Sequence, residues 1–366
     1  TCSIVSECEH AGRSRSSESR TPSPLIASIM AASRRTIVVI HPGGLGDVLL
    51  SFEALLAMRA GFPHHEIVLL AGSEVGDLLA QCGVIDHAWS IESDLLSTLF
   101  AGAARLSSRQ RAVFQRCDLM VGWLSDEAGE LQRTLQELGI PRVILQSPAM
   151  IQGGHQRERF LQALQGELPT DPRPLLRLHL PKEGLQPGRD ALRAIGINHP
   201  ASLIVCHPGS GSLHKCVRAD TWSLLFQGCR ARQLTPVIVL GPADEQAATA
   251  IQQAGILDIP ILRPQSVTVL AALLAQAQGY LGHDSGVTHL AALLGVPTVA
   301  MFGPTDERRW APQGELVAVV RGGRCACADW DAVRVCREKP CLKVQSEEVF
   351  KALEAVESCY HRVTNS

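Results

Sequence analysis

Short runs of apolar residues alternate along this chain with longer segments in which apolar residues recur every three or four positions. The short runs are typical of buried parallel strands, and the longer segments of helices that cover a sheet. Strands are predicted in the first half at residues 36–41, 66–70, 118–122 and 142–145, with helices at 48–61, 75–82 and 128–138. In the second half the predicted strands include residues 202–206, 236–240, 259–262 and 280–282, with helices at 219–233, 245–254 and 267–277. This alternation predicts an α/β protein with two doubly wound parallel sheets.

Breaks in this pattern suggest the domain boundaries. Residues 1–33 are rich in Ser, Arg and Glu and are predicted to be a disordered leader. Met30 precedes the first predicted strand and is a candidate natural start, which would make the leader non-native. We predict an N-terminal Rossmann-like domain at residues 34–180, a C-terminal one at 181–345, and a final helix and tail at 346–366. The proline-rich stretch at 168–188 is the predicted connection between the domains.

Composition narrows the class of partner and the compartment. The chain has 366 residues, a net charge of −2 and 4% aromatic residues, so neither a basic surface nor an aromatic platform for nucleic acid is indicated. We recognise no signal peptide and no apolar run of membrane-spanning length. Several of the twelve cysteines lie in apolar or helical patterns, which predicts reduced thiols in a cytoplasmic protein.

Two loops of the second half have the chemistry of anion-binding sites. Asp284, Ser285 and Gly286 follow a strand and His289 falls in the first turn of the next helix, where unpaired amides favour an anion. The alternative is that Ser285 or Asp284 simply caps that helix. Residues 207–215 combine small residues, serine hydroxyls and Lys215, which suits a phosphate, although an ordinary surface loop has a similar composition. His207 and His214 have no third ligand nearby in sequence, so we predict no metal there.

The loop after the first strand carries a carboxylate. Gly43, Gly44 and Gly46 precede Asp47, and this spacing differs from that of a dinucleotide-binding loop. A carboxylate at the mouth of a strand–helix loop suits a general base. It equally suits an acid that stabilises the helix dipole, and the spacing does not decide between them.

Taken together, these loops resemble glycosyltransferase family 9, the ADP-heptose:lipopolysaccharide heptosyltransferase family. The resemblance covers roughly residues 34–360. It is carried by GGLGDVLL at 43–50, HPGSGSLHK at 207–215, LGPADE at 240–245 and HDSGVTHLAALLGVPTVAMFGPTDERRW at 283–310. It implies the GT-B fold, in which two Rossmann-like domains face a cleft. The donor nucleotide would bind the C-terminal domain, and the final helix would pack toward the N-terminal domain.

The resemblance also implies a role for individual residues. Asp47 matches the catalytic base, and Gly43, Gly44 and Gly46 form the loop on the acceptor side. The other matches are to donor-binding positions: Gly209, Ser210 and Lys215 at the phosphates, Glu245 at the ribose, Gln265 near the adenine, and Asp284, Ser285, Gly286 and His289 around the pyrophosphate and sugar. No metal and no cofactor is implied besides the ADP-sugar donor.

The predicted function is therefore inverting transfer of a heptose or related sugar from an ADP-heptose-type donor to a lipopolysaccharide core or similar lipid-linked glycan. The alternatives are a nucleotide-sugar 2-epimerase-like enzyme of the same fold and a non-catalytic nucleotide-sugar-binding protein. His41 and residues 51–53 depart from the family pattern on the acceptor side, so the sequence leaves the acceptor undefined.

Two further segments carry open hypotheses. The arginine-rich residues 105–116 are a candidate for transient contact with the inner face of the inner membrane, with an ordinary solvated surface as the alternative. Cys325, Cys327, Cys336 and Cys341 offer four thiols in a spacing that differs from paired CxxC motifs. The sequence leaves open whether they bind zinc.

Overall fold

The computed structural model describes residues 34–148, 154–168 and 176–364. These residues form two parallel sheets, one in each half of the chain. The strands of the first sheet are β1 (Thr36–Ile40), β2 (Glu66–Ala71), β3 (His87–Ser90), β4 (Cys117–Gly122) and β5 (Val143–Leu145). Those of the second are β6 (Leu203–His207), β7 (Thr235–Val239), β8 (Ile261–Leu262), β9 (Gly279–His283), β10 (Thr298–Phe302) and β11 (Val317–Arg321).

Helices connect the strands in both halves. In the first half they are α1 (Leu45–Leu50), α2 (Phe52–Gly61), α3 (Ser73–Gln81), α4 (Leu95–Phe100), α5 (Ser108–Phe114), α6 (Glu130–Glu137) and α7 (Gln156–Gln162). In the second half they are α8 (Gln186–Ala194), α9 (Ala219–Ala231), α10 (Glu245–Gln253), α11 (Val267–Leu274), α12 (Gly286–Leu293), α13 (Glu307–Trp310), α14 (Trp330–Val335) and α15 (Ser346–Thr364). Among the described residues, none of these helices is both long and apolar enough to cross a bilayer.

The strand orders confirm the predicted doubly wound architecture. They are β3-β2-β1-β4-β5 in the first sheet and β8-β7-β6-β9-β10-β11 in the second. Each order reverses direction beside its first strand, between β1 and β4 and between β6 and β9, as in dinucleotide-binding folds. All five residues of β1 and of β6 are buried, because helices cover both faces of each sheet. The loops that follow these strands therefore open at the crevice where ligands of such sheets bind.

The prediction of one continuous helix at residues 48–61 is wrong, because this segment belongs to two helices, α1 and α2. The helix is interrupted at Ser51, whose backbone has φ −85° and ψ 1°. The Ser51 hydroxyl donates to the carbonyl of Val48 at 2.7 Å, so a side chain takes the place of the next backbone donor. The break separates α1 from α2, and the short α1 carries Asp47. Strands β3 and β11 were not predicted, because each presents few fully buried positions.

Contacts across the cleft tie the two halves together. The Glu74 carboxylate of α3 accepts from the amide of Val267 at 2.7 Å, so it caps the N-terminus of α11 from the other half. The His155 ring lies 3.0 Å from the carbonyl of Ala311. A backbone hydrogen bond of 2.7 Å joins Leu178 to Leu293. These contacts hold the loops at the mouths of the two sheets against each other.

The domain boundaries predicted from the sequence stay predictions. The leader at residues 1–33 and part of the connection lie outside the described residues. The first sheet ends at Leu145 and the second begins at Leu203, which is compatible with a division near residue 180. The final helix differs from the expectation, since α15 packs on β10, β11 and α9 of the second half. Its Phe350 ring occupies the space beside Gly228 where a side chain would otherwise be.

The arginine-rich segment differs from a membrane-binding surface in one respect. Leu106, Val113 and Phe114 are at most 5% exposed, because they pack into the first half. Arg111 donates to the carbonyls of Ala103 and Leu106 and so stabilises its own loop. The apolar side chains that would insert into a lipid surface are therefore unavailable. A membrane contact here would rest on the charge of the remaining arginines alone.

Candidate functional site

One cavity of about 420 Å³ opens where loops from both halves meet. Its volume is within the usual range of small-molecule sites. The lining residues come from the loop after β1, the loops after β6, β9 and β10, and α14. They are Gly44, Leu45, Gly46, Asp47, Leu50, Gly211, Lys215, Asp284, Ser285, Gly286, His289, Thr305, Trp310 and Trp330. The structure thus brings together eight of the residues predicted from the sequence, Gly44, Gly46, Asp47, Lys215, Asp284, Ser285, Gly286 and His289.

Asp47 is the carboxylate on the first-half wall. It is the third residue of α1 and accepts from the amide of Gly44 at 3.2 Å, so it caps the helix that positions it. A Cβ at Gly43 would lie 2.6 Å from the Cβ of Asp47, so the glycine leaves room for the acid. Desolvation by the cleft walls raises the pKa of Asp47, although the Gly44 amide and Lys215 oppose the rise. A carboxylate with a raised pKa is a better proton acceptor than an ordinary aspartate.

The two halves touch at a pair of glycines beside Asp47. A Cβ at Gly286 would lie 2.9 Å from the backbone nitrogen of Gly46, closer than real Cβ atoms approach. The N-termini of α1 and α12 therefore meet closely across the cleft, with the Leu45 side chain beside the contact. Because unpaired amides and the positive end of the dipole lie at each terminus, the meeting point favours negative charge.

Lys215 and Asp284 form an ion pair on the second-half wall, with Nζ 2.8 Å from Oδ2. Lys215 ends the loop after β6, in a short 3₁₀ turn at Leu213–Lys215, and Asp284 follows β9. The Ser210 hydroxyl donates to the carbonyl of Asp284 at 2.7 Å and ties the two loops together. The pair places one cation beside the positive end of α12, where negative charge is favoured.

A buried hydrogen-bond network of side chains lies behind Ser285, and the sequence pattern did not predict it. The His207 ring lies between two side chains, with Nε2 3.0 Å from Asp244 and Nδ1 3.2 Å from the Ser285 hydroxyl. A proton on Nε2 donates to the carboxylate, which leaves Nδ1 to accept from Ser285. Burial disfavours the Asp244 carboxylate, but hydrogen bonds from His207 and from the Gly241 amide outweigh this and lower its pKa. The sequence suggested only metal binding for His207, because its partner Asp244 lies 37 residues away along the chain.

The hydrogen-bond network continues into α12 and fixes the N-terminus of this helix. Ser285 caps the helix by accepting from the amide of Thr288, and the Thr288 hydroxyl lies 3.0 Å from that of Tyr280. Ser285 therefore caps its helix and also lines the cavity, and its role at an anion stays a prediction. The signal for the network was an acid or histidine after each of three neighbouring strands, β6, β7 and β9.

Three histidines near the site are neutral because they are buried. Burial lowers the pKa of His41, His283 and His289 to about 4 in each case. His283 shows the geometric reason, since its Nε2 accepts from the amide of Val217 at 3.0 Å and cannot carry a proton without losing that bond. His289 contacts the cavity as an uncharged ring, so it does not supply positive charge to an anion.

The remaining predicted residues lie outside the cavity lining. Gly209 packs on Asp244, so close that a Cβ would be 1.9 Å from its carboxylate. Glu245 pairs with Arg263 at 2.8 Å and is largely exposed, and Gln265 is exposed after β8. Gly43 supports Asp47 from behind. Glu245 and Gln265 follow β7 and β8, so they lie along the edge of the second sheet that leads away from the cavity.

The structure adds aromatic residues to the site. Trp310 of α13 and Trp330 of α14 line the cavity, as does Thr305 in the loop after β10. Within the described residues, the group of side chains that could hold a metal is Cys325, Cys327 and Cys336, none of which lines the cavity.

Comparison with known proteins identifies the family. Residues 154–341, just over half of the chain, match the model of glycosyltransferase family 9 (heptosyltransferase). Lipopolysaccharide heptosyltransferase 3 of Escherichia coli K12 is 25% identical over 290 residues, which cover 74% of this chain and 83% of that protein.

Solved structures show the same fold. A family 9 glycosyltransferase from Veillonella parvula has a TM-score of 0.73 at 18% identity, covering 88% of this chain and 97% of that one. The E. coli ADP-heptose lps heptosyltransferase II has a TM-score of 0.67 at 17% identity, covering 89% and 99%. Since the family match extends over the loop after β6, the β9–α12 turn and β10, the chain belongs to glycosyltransferase family 9 and is a glycosyltransferase with the GT-B fold.

Proposed function

We propose that the protein transfers a heptose from an ADP-heptose-type donor to a lipopolysaccharide core or similar lipid-linked glycan, with inversion at the transferred carbon. The observation that carries the proposal is the position of Asp47 in one cavity with the Lys215–Asp284 pair. An acid on one wall and a phosphate-binding cation on the other are what a direct displacement between two substrates requires. The named relatives act on lipopolysaccharide, which supports this class of acceptor.

The donor would lie along the carboxyl edge of the second sheet. Ser285, Ser210, Glu245 and Gln265 follow β9, β6, β7 and β8, which are neighbours in that order. Parallel strands lie about 4.8 Å apart, so three intervals span about 14 Å, enough for a nucleoside diphosphate. The phosphates would bind at Lys215 and the N-terminus of α12, the ribose near Glu245 and the adenine near Gln265. The sugar would then project into the cavity beside Asp47.

Transfer would proceed in one displacement. The acceptor hydroxyl gives its proton to Asp47 as its oxygen forms a bond to the anomeric carbon of the donor sugar. The bond from that carbon to the phosphate oxygen breaks, and ADP leaves with the electron pair. The new charge on the β-phosphate is stabilised by Lys215 and the amides at the start of α12. Asp284, paired with Lys215, holds this cation in place before the donor binds.

The residues at the phosphates supply positive charge themselves, so we propose that transfer needs no Mg²⁺ or Mn²⁺. Neither cation should stimulate the reaction when added to protein freed of loosely bound metal. A large stimulation would mean that Lys215 and the helix terminus are insufficient for the leaving diphosphate.

Asp47→Asn tests the proposal. Transfer should fall by about 10²–10⁴-fold, the usual effect of losing a general base. ADP affinity by calorimetry should stay near that of the wild type, because Asp47 lies on the opposite wall. The matched control is Asp126→Asn, which changes an acid that caps a helix in the same half, away from the cavity.

Product analysis completes the experiment. Incubation with ADP-heptose and a heptose-deficient lipopolysaccharide should give an acceptor that is heavier by one heptose, with inverted anomeric configuration by NMR. A variant that keeps more than half of wild-type transfer, or a product of retained configuration, would contradict the assignment of Asp47.

The proposed acceptor is anchored in a membrane, so the enzyme would meet it at a lipid surface. The cytoplasmic location predicted from the sequence belongs to this proposal. Because Leu106, Val113 and Phe114 are buried, we expect any attraction to anionic lipid to be electrostatic and to weaken with salt.

A further inference from the structure

The segment between β11 and α15, residues 322–342, is held together differently from the rest of the protein. We refer to it as the cysteine loop. Its two ends are joined by a hydrogen bond of 3.0 Å from the amide of Gly322 to the carbonyl of Cys341. Between residues 323 and 340, Val333 is the one buried residue. A loop of this length with so little apolar burial lacks the packing that ordinarily fixes a conformation.

Thiols converge where that packing is missing. The sulfur atoms of Cys325, Cys327 and Cys336 all lie within 4.8 Å of one another, and those of Cys325 and Cys327 are 3.0 Å apart. The thiol of Cys341, which is 2% exposed, is a neighbour of the Cys325 thiol. Three sulfur donors from the beginning and the middle of the cysteine loop thus converge, and the thiol of Cys341 at its end lies next to them.

This arrangement matches a tetrahedral thiolate site. With Zn–S bonds of about 2.3 Å, sulfur atoms around a zinc ion are about 3.8 Å apart, inside the spread seen here. A single disulfide would use two of the thiols and leave the convergence of the others without a cause. Metal binding would supply the free energy that the cysteine loop does not gain from a core.

The cysteine loop also reaches the catalytic cavity. Trp330 begins α14, between Cys327 and Cys336, and its side chain lines the cavity that contains Asp47 and Lys215. Asp329 caps α14 by accepting from the amide of Ala332 at 2.8 Å, so the tryptophan is fixed relative to the neighbouring cysteines. Whatever fixes the sulfur atoms therefore also limits where Trp330 can lie in the cavity lining.

We propose that Cys325, Cys327, Cys336 and Cys341 bind one thiophilic metal ion, for which zinc is the best match, and that this ion positions Trp330 in the cavity. The metal site stands on the cysteine loop alone, whereas the role of Trp330 rests on the proposed transferase function. The ion would be structural, with four protein ligands and no open position for substrate.

Metal content tests the site without any substrate. Protein purified with a non-chelating phosphine reductant should contain about one equivalent of zinc per chain by mass spectrometry. Cys327→Ser/Cys336→Ser should lose it, and the matched control Cys82→Ser, a free cysteine of the first half, should keep it. Iron in the same stoichiometry and with the same dependence on cysteines supports the site and changes the ion. Wild-type protein without either metal, or with disulfides among these four residues, overturns the proposal.

A second measurement covers the case in which the double variant does not fold. Wild-type protein loaded with Co²⁺ should show the sulfur-to-cobalt charge-transfer bands and the strong visible absorption of a tetrahedral thiolate site. Their absence from protein that takes up Co²⁺ would also overturn the proposal.

Trp330→Ala separates the metal from its effect on the cavity. The variant should keep its zinc and raise the KM for a substrate by about tenfold with little change in kcat, as loss of a positioning contact does. A normal metal content with unchanged KM would leave the metal site intact and overturn the role of Trp330. Failure of the transferase assignment itself would appear instead as absent transfer in every variant, with metal content unaffected.

Discussion

The Lys215 ammonium and the Asp284 carboxylate, 2.8 Å apart, come from loops after neighbouring strands and are both largely shielded from water. The pair keeps a cation at the start of α12 when no ligand is bound. A donor phosphate would share Lys215 with Asp284 and would not need to order a free side chain. The ion pair therefore links the stability of the two loops to the affinity for the donor.

Lys215→Ala should weaken ADP binding by about 10–150-fold, because hydrogen bonds to charged groups contribute about 1.5–3 kcal/mol. Calorimetry with ADP measures this directly. Lys182→Ala removes an exposed lysine of the same half and is the matched control. An unchanged dissociation constant for Lys215→Ala would exclude its role at the phosphates.

The raised pKa of Asp47 predicts the pH dependence of transfer. The base must be ionised, so kcat/KM should increase with pH through an apparent pKa above that of an ordinary aspartate. Residual transfer by Asp47→Asn should lack this limb. A wild-type profile that stays flat down to the ordinary range of aspartate would contradict desolvation of this carboxyl.

The raised pKa of Asp47 also predicts how the stability of the fold depends on pH. A carboxyl whose pKa is higher in the folded than in the unfolded protein stabilises the fold at low pH, and that contribution is lost as pH rises through both values. Asp47→Asn should therefore melt at a higher temperature than wild type at neutral pH. The difference should shrink on acidification. Asp126→Asn should instead melt lower, because both oxygens of Asp126 accept from backbone amides and an asparagine can keep only one of these bonds.

His207→Ala should lower the free energy of unfolding by about 1–3 kcal/mol, because it leaves the buried Asp244 carboxylate without its partner. ADP affinity should fall as well, since Ser285 loses the ring that orients it. Urea unfolding and calorimetry give the two readouts, with the exposed His199→Ala as control. A variant as stable as wild type would show that the His207–Asp244 contact contributes little.

Gly286→Ala should reduce transfer by at least about tenfold, because its methyl group would meet the backbone of Gly46 and push the two halves apart. Gly211→Ala also adds a methyl group in the cavity lining, but with nothing within 4 Å, and should have a smaller effect. Initial rates of both variants decide the matter. Similar losses would mean that closure at the glycine pair is not required.

The buried neutral histidines predict loss of stability in acid. For His41, His283 and His289 the pKa is lowered from 6.5 to about 4, so the unfolded state binds more protons between these values. Stability should fall as pH decreases from about 6.5 to 4, by up to about 3 kcal/mol for each histidine. Urea midpoints across this range measure the slope. Constant midpoints would show that these rings protonate without cost in the folded state.

Features that depend on local sequence could be predicted, whereas those that depend on competing or distant interactions could not. Apolar runs and loop chemistry are local, so strands such as β1, β6 and β9 and the loops that carry Asp47, Lys215 and Asp284 could be predicted from the residues themselves. The break at Ser51 could not, because its hydroxyl bond to Val48 competes with a helix that propensity alone favours. The strands β3 and β11 were missed because their partial burial weakens the apolar signal.

The sequence by itself determined that candidate site residues such as Asp47 and Asp284 follow strands. The tertiary structure alone decided which of them meet. His207 finds Asp244 and Ser285 because β6, β7 and β9 are neighbours in the sheet, and Trp330 enters the cavity because the cysteine loop returns across it. It also buried Leu106, Val113 and Phe114, the apolar residues of the arginine-rich segment 105–116. The physical reason is that strand order and the packing of the two halves bring together residues far apart in sequence, while local pattern fixes only the element and the face on which each residue lies.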